Sequence, residues 1–185
     1  MDHSLFEFLN QTIANDFLDG ILPTWRTKET WIPLYLLVAG WMLYKDWKKG
    51  LLVLMAVLIA VGLADFITSG ILKPWVGRLR PCADPDLMDQ VHLLVGCGGK
   101  YSFPSSHASN HIAIALLLNW CWFQNNRWIK ITWIAWAVSI SFAQIYVGKH
   151  FPLDILGGWV VGIATSLLGY WIYQRLAGQI LPSGG

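Results

Sequence analysis

Residues 51–72 read LLVLMAVLIAVGLADFITSGIL, an apolar run interrupted by a single charge, Asp65. The hydrocarbon core of a bilayer is about 30 Å thick, and about 20 mostly apolar helical residues cross it. This stretch has that length. Working outward, four further stretches read as spans: Trp31–Tyr44, Phe103–Phe123, Trp128–Val147 and Pro152–Tyr173. Together they occupy more than half of the chain and leave no room for a separate soluble domain. Composition agrees. Of 185 residues, 55% are apolar, 14% aromatic and 13% charged, and 12 are Trp, whereas soluble domains carry about 25% charged residues. A cytosolic globule is excluded by this balance, and disorder by the apolar content. The 13 Lys and Arg against 11 Asp and Glu leave a formal +2, too small and too scattered for a nucleic-acid partner. Three cysteines are too few for a disulfide scaffold. The expectation is an all-α integral membrane protein of about five to six helices. It forms one membrane-embedded domain over residues 1–185, with the bundle spanning 31–176.

Ser4 to Leu22 reads differently. Leu5, Leu9, Ile13 and Phe17 recur every four residues, with Glu7, Asn10, Gln11, Asn15 and Asp16 between them. This is an amphipathic helix, expected over residues 4–22 at the membrane surface. It lacks the basic start and continuous apolar core of a signal peptide. No internal repeat is present, and the one low-complexity stretch is the tail Pro182-Ser183-Gly184-Gly185.

Counting crossings from the N-terminal side, X, places the loop Lys73–Ser102 and the link Gly148–Phe151 on X and the C-terminus on the other side, Y. The Y loops carry Lys45, Lys48, Lys49, Arg127, Lys130 and Arg175; side X carries Arg26, Lys28, Lys73, Arg78, Arg80, Lys100 and Lys149. Short cytoplasmic loops are enriched in Lys and Arg. Setting aside the X cations with a chemical reading leaves Y cytoplasmic and X outside. Cys82 and Cys97 both fall in the X loop; they are either bridged, which needs an oxidising compartment, or two independent thiols. Cys121 reads as a small core residue.

Three separated polar segments converge on side X: Lys73-Pro74-Trp75-Val76-Gly77-Arg78-Leu79-Arg80-Pro81, Pro104-Ser105-Ser106-His107, and His150-Phe151-Pro152-Leu153-Asp154. Ionisable residues at membrane depth are costly and mark function by default. Ser105 and Ser106 beside Pro104 read as a helix start, where free N–H groups favour an anion. Lys73 and Arg80 suit phosphate oxygens. His150 and Asp154 are four apart, so the carboxylate can orient the imidazole. His107 can donate a proton to a leaving oxygen. The set describes phosphoryl transfer through a covalent phospho-histidine.

With these motifs in view, Asp65 to Leu168 resembles the type 2 phosphatidic acid phosphatase superfamily, whose membrane members are helical lipid phosphatases and diphosphatases. The resemblance implies His150 as nucleophile, Asp154 as its orienting acid and His107 as general acid. It implies phosphate binding by Lys73, Arg80, Ser105 and Ser106, and it implies no metal and no cofactor. The substrate would be a phosphorylated membrane lipid: undecaprenyl diphosphate, phosphatidylglycerophosphate, phosphatidic acid or lipid A. Two departures stand out. Ser106 replaces the glycine of the usual Pro-Ser-Gly-His, and Ala143-Gln144 replaces the Ser-Arg that usually opens the third motif. Gln144 can still donate a hydrogen bond, and Lys149 or Arg78 are auxiliary sources for the lost charge.

The plainer readings are an interfacial belt for the Lys-Pro turn, a loop cap for His150, an interhelical bond for Asp65, a packed bundle residue for His111, and a solvated face for Asp84, Asp86 and Asp89. The alternative functions are a lipid phosphotransferase, or a non-catalytic transporter or scaffold on the same fold. The expected location is a bacterial inner membrane with the site on the exterior face.

Overall fold

The computed structural model describes residues 1–181; the Pro182–Gly185 tail lies outside the described residues. The helices are α1 (Asp2–Glu7), α2 (Asp16–Trp25), α3 (Lys28–Lys45), α4 (Trp47–Asp65), α5 (Lys73–Val76), α6 (Ser106–Cys121), α7 (Arg127–Tyr146) and α8 (Pro152–Ile180). No named strand occurs among the described residues, only an isolated bridge between Leu79 and Tyr101.

The run quoted above forms the middle of one continuous helix, Trp47–Val76, in which a π-helical segment, Phe66–Leu72, joins α4 to α5. This helix, α7 and α8 are each long and apolar enough to cross a membrane, which makes the chain an integral membrane protein. The sequence also reads α3 and α6 as spans, and both differ from that pattern for physical reasons. Lys28, Glu29 and Lys45 lie within α3. α6 has 16 residues, about 24 Å of helix, because Ser102–Ser105 approach it in non-helical backbone. α6 is also the central helix, packed by α4, α7 and α8. Surrounded by protein rather than lipid, it accommodates buried Ser109, His111 and Asn119.

Close packing of α8 on α6 depends on missing side chains. A Cβ at Gly158 would collide with the Ser105 carbonyl oxygen, and one at Gly162 with Ile112 and the Ser109 carbonyl. The main apolar core lies between α4, α6, α7 and α8 and includes Leu52, Ala56, Ile112, Leu117, Trp136 and Ile140.

The N-terminal segment is two helices instead of one continuous helix over 4–22. A π-helical turn, Phe8–Thr12, follows α1, and the chain breaks at Ile13–Asn15. Asn15 is extended, and its side chain accepts the Leu18 N–H, capping α2 afresh. Tertiary contacts fix the break. Asn10 is fully buried and donates to the carbonyls of His92 and Tyr146. The Tyr146 hydroxyl donates to Asp19 at 2.6 Å, while His92 Nε2 lies 3.0 Å from the same carboxylate. The segment therefore packs across one end of the bundle, over the loop between α5 and α6.

Candidate active site

Antiparallel packing brings the α5 end, the α6 start and the α7–α8 link together. The backbone N–H of Ser105 donates to the Asp154 carbonyl at 2.9 Å, joining the second polar segment to the third. Ser105 caps α6 through its hydroxyl, which accepts the Ala108 N–H. The amides of Ser106 and His107 have no acceptor among the described residues, so the helix start presents free donors.

Ser106 lies at the centre of a side-chain cluster. Its Oγ accepts from Lys73 Nζ at 3.0 Å and from Thr68 Oγ1 at 2.9 Å, and Ser69 Oγ is also 2.9 Å away. The π-helical segment advances Thr68 and Ser69 to this position, and Ser106 fixes the ammonium of Lys73 at the mouth of α6.

Arg80 is held by backbone carbonyls, Tyr101 on its Nε and Cys97 on its Nη1, both at 3.1 Å. Cys97 is bonded to Cys82 in a disulfide with Cα atoms 5.8 Å apart, so the loop that aims Arg80 is covalently closed. Gly98, at φ 73°, lets the backbone pass beside Lys149: a Cβ there would lie 3.2 Å from Lys149 Nζ and 4.0 Å from Arg80 Nη1. Burial and the nearby Arg26, Arg80 and Lys73 push the Lys149 ammonium down to about 8.

His150 is 2% exposed and Asp154 fully buried. His150 Nδ1 lies 3.5 Å from Asp154 Oδ2, which leaves Nε2 as the nitrogen turned away from the carboxylate. Burial lowers the His150 imidazole to about 4 even though Asp154 pulls it upward, so the ring is neutral at pH 7. The same carboxylate accepts the Phe151 N–H at 2.8 Å and Arg78 Nη1 at 2.9 Å. Arg78 also pairs with Asp2 and lies 4.2 Å over the Phe151 ring. Both terminal nitrogens of Arg78 are thus engaged by carboxylates. Asp2 in turn accepts the Leu153 N–H at 2.9 Å.

Gln144, fully buried, accepts from Arg26 Nε at 3.1 Å, while its own Nε2 has no partner among the described residues. A cavity of about 600 Å³ opens between α3, α4 and α6, lined by Arg26, Asp65, Ser106, His107, Asn110 and His111. His150 lies outside its wall. His111 is 4% exposed, is bonded to the His107 carbonyl and packs on Trp136. Among the described residues, no group of three or more His, Cys, Asp or Glu could hold a metal ion.

The cations Lys73, Arg80 and Lys149, the paired imidazole and carboxylate of His150 and Asp154, and the free start of α6 lie at the same end of the bundle. The family model described as the PAP2 superfamily matches residues 50–177. The chain belongs to the PAP2 superfamily. A lipid A 4'-phosphatase of Bacteroides thetaiotaomicron is 32% identical over 97% of this chain and 80% of its own length. A lipid A 4'-phosphatase of Porphyromonas gingivalis is 33% identical over 94% and 72%. The crystal structure of LpxE from Aquifex aeolicus superposes with a TM-score of 0.73 at 23% identity, covering 92% of this chain and 94% of that one. It shares the PAP2 fold.

Two residues of this PAP2 site carry no local sequence signal. Asp2 and Arg26 reach it from the N-terminal helices. Arg26 stands only among the side-X cations in the sequence, and its bond to Gln144 ties it to the third polar segment.

Proposed function

We propose that this PAP2 protein hydrolyses the phosphate ester of a membrane lipid through a phosphorylated His150. The observation that carries the reading is the seating of a neutral, buried imidazole against Asp154, beside cations held by Ser106, the Cys97 carbonyl and Gln144. Nε2 of His150 attacks phosphorus while the phosphorus–oxygen bond to the lipid breaks. The departing oxygen takes a proton from His107. Asp154 stabilises the positive charge that the ring gains. Water then attacks the phospho-histidine, giving up a proton to His107 and releasing inorganic phosphate. Lys73, Arg80 and Lys149 balance charge on the phosphoryl oxygens.

For the substrate we propose the phosphate monoester of a saccharide lipid such as lipid A. Two relatives so named, each about one-third identical over nearly the whole chain, support this choice. An undecaprenyl diphosphate is the second reading, favoured by a Sulfolobus acidocaldarius undecaprenyl-diphosphatase 30% identical over 91% of the chain. The cavity between α3, α4 and α6 would admit the headgroup sideways from lipid. The closed Cys82–Cys97 pair and the basic loops at the other end support an exterior-facing site with a cytoplasmic C-terminus.

Phosphate release by the detergent-purified protein from lipid A, undecaprenyl diphosphate, phosphatidylglycerophosphate and phosphatidic acid tests the reading. Release that is lost in His150→Ala and greatest with lipid A is the expected result. Undiminished release from His150→Ala would overturn the nucleophile, and silence across the panel would favour a phosphotransferase or a non-catalytic role.

A further inference from the structure

Arg26 occupies an unusual position for a guanidinium. It caps the C-terminus of α2 through its backbone, yet its side chain turns inward and the residue is 8% exposed. Its single recorded side-chain bond within the described residues is from Nε to Gln144 Oε1, across 118 residues of chain. Nη1 and Nη2 have no carboxylate and no other protein acceptor among those residues. A buried cation without a bonded counter-charge is costly; Glu29 offsets part of that cost from a distance, while Arg80 and Lys149 are both close enough to oppose the charge.

Such crowding of like charges is relieved by an anion. The geometry fits one of a particular kind. With Nε committed to Gln144, the planar fork leaves its two terminal nitrogens as a parallel pair, the arrangement that grips two oxygens of a phosphate. Arg26 lines the same cavity as Ser106 and His107. Through Gln144 it is also linked to the nucleophile's segment, because the Gln144 carbonyl accepts the backbone N–H of Lys149, the residue before His150. The partnerless Nε2 of Gln144 is a second buried donor beside it.

We propose that Arg26, carried in from the N-terminal helices and oriented by Gln144, supplies the phosphoryl-binding guanidinium that the third motif of this chain lacks. The arginine has in effect exchanged places with its support: a glutamine stands on α7 where the family pattern has the cation, and the cation arrives from α2. The inference rests on the oxyanion site proposed above, but not on the identity of the nucleophile.

The test is binding of inorganic phosphate to the purified full chain by titration calorimetry, for wild type, Arg26→Gln, Arg26→Lys, Gln144→Arg and the double variant Arg26→Gln/Gln144→Arg. Lipid phosphate release is measured alongside, with His150→Ala as a separate arm. Loss of the charged fork is expected to weaken phosphate binding about 10- to 100-fold in Arg26→Gln and less in Arg26→Lys. The double variant, with its guanidinium returned to α7, is expected to regain most of the affinity and of the turnover. Phosphate binding within about twofold of wild type in Arg26→Gln would overturn the proposal. So would equal weakness in the single and double variants, which would leave Arg26 only a brace for α2. Phosphate binding needs no turnover, so activity surviving in His150→Ala would strike the nucleophile and leave the Arg26 result standing.

Discussion

Replacing Arg78 by methionine separates two roles that the same cation can play. If Arg78 secures Asp154, its loss strands a fully buried carboxylate that keeps the Phe151 N–H as its remaining bonded donor. Breaking a buried ion pair costs about 3–5 kcal/mol; the Arg78 side chain is 24% exposed, so screening reduces the expectation to about 2–3 kcal/mol. The contact over the Phe151 ring is partly preserved by the methionine thioether. Unfolding in mixed SDS micelles, followed by the fluorescence of the 12 tryptophans, reads this loss. A double-mutant cycle with Asp154→Asn isolates the pair, with an expected coupling of at least about 1 kcal/mol. Turnover is expected to fall with little change in phosphate affinity. A coupling below about 0.5 kcal/mol, together with a clear loss of phosphate affinity, would refute the argument and make Arg78 a phosphate ligand.

Ser106→Ala removes the acceptor of Lys73 and Thr68; a stability loss of about 1–2 kcal/mol and a raised KM with kcat less affected are expected from unfolding and steady-state assays. The Lys149 ammonium, lowered to about 8, is charged below that pH and neutral above it. Phosphate affinity should therefore be fully present on the acid side and fall as pH rises through about 8, and Lys149→Arg should move that limb upward. His150, lowered to about 4, is neutral above that pH, so the free enzyme should lose its nucleophile only as pH falls through about 4; a pH profile of kcat/KM checks both limbs. Gly158→Ala puts a methyl group against the Ser105 carbonyl. It should cost about 1–3 kcal/mol and reduce turnover by displacing the start of α6, as measured by unfolding and phosphate release.

The membrane bundle was legible in the sequence because Leu51–Leu72 and the stretches of α7 and α8 are apolar over continuous lengths. The three polar segments were legible because each is local: Lys73 to Arg80, Pro104 to His107 and His150 to Asp154 are short continuous stretches of the chain. α6 was less plain. Buried inside the bundle, its 16 residues need neither the length nor the uniform apolarity of a lipid-facing span. The four-residue spacing of Leu5, Leu9, Ile13 and Phe17 is the same for one helix or two, and the break after Thr12 comes from Asn15 and from contacts with His92 and Tyr146. The Arg26–Gln144 bond joins positions 118 apart, and no periodicity encodes such a distance. The fate of Arg78 was equally hidden, because its spacing from Lys73 says nothing of carboxylates at positions 2 and 154.

The clasp formed by Asp2 has a consequence for the order of events during biosynthesis. Asp2 bonds to Arg78 and to the backbone of Leu153, partners 76 and 151 residues further on, and Asn10 waits for Tyr146, 136 residues on. Asp2 and Asn10 therefore dock late, since contacts this distant form only after the intervening chain has been ordered. Until α8 is in place, Arg78 has no Asp154 to hold and Asp2 has no Leu153 amide to accept. A nascent chain arrested before α8 already carries Lys73, Arg80 and Arg26 together with the groups that hold them, Ser106, the Cys97 carbonyl and Gln144, but the carboxylate that anchors Arg78 and faces His150 arrives only with α8.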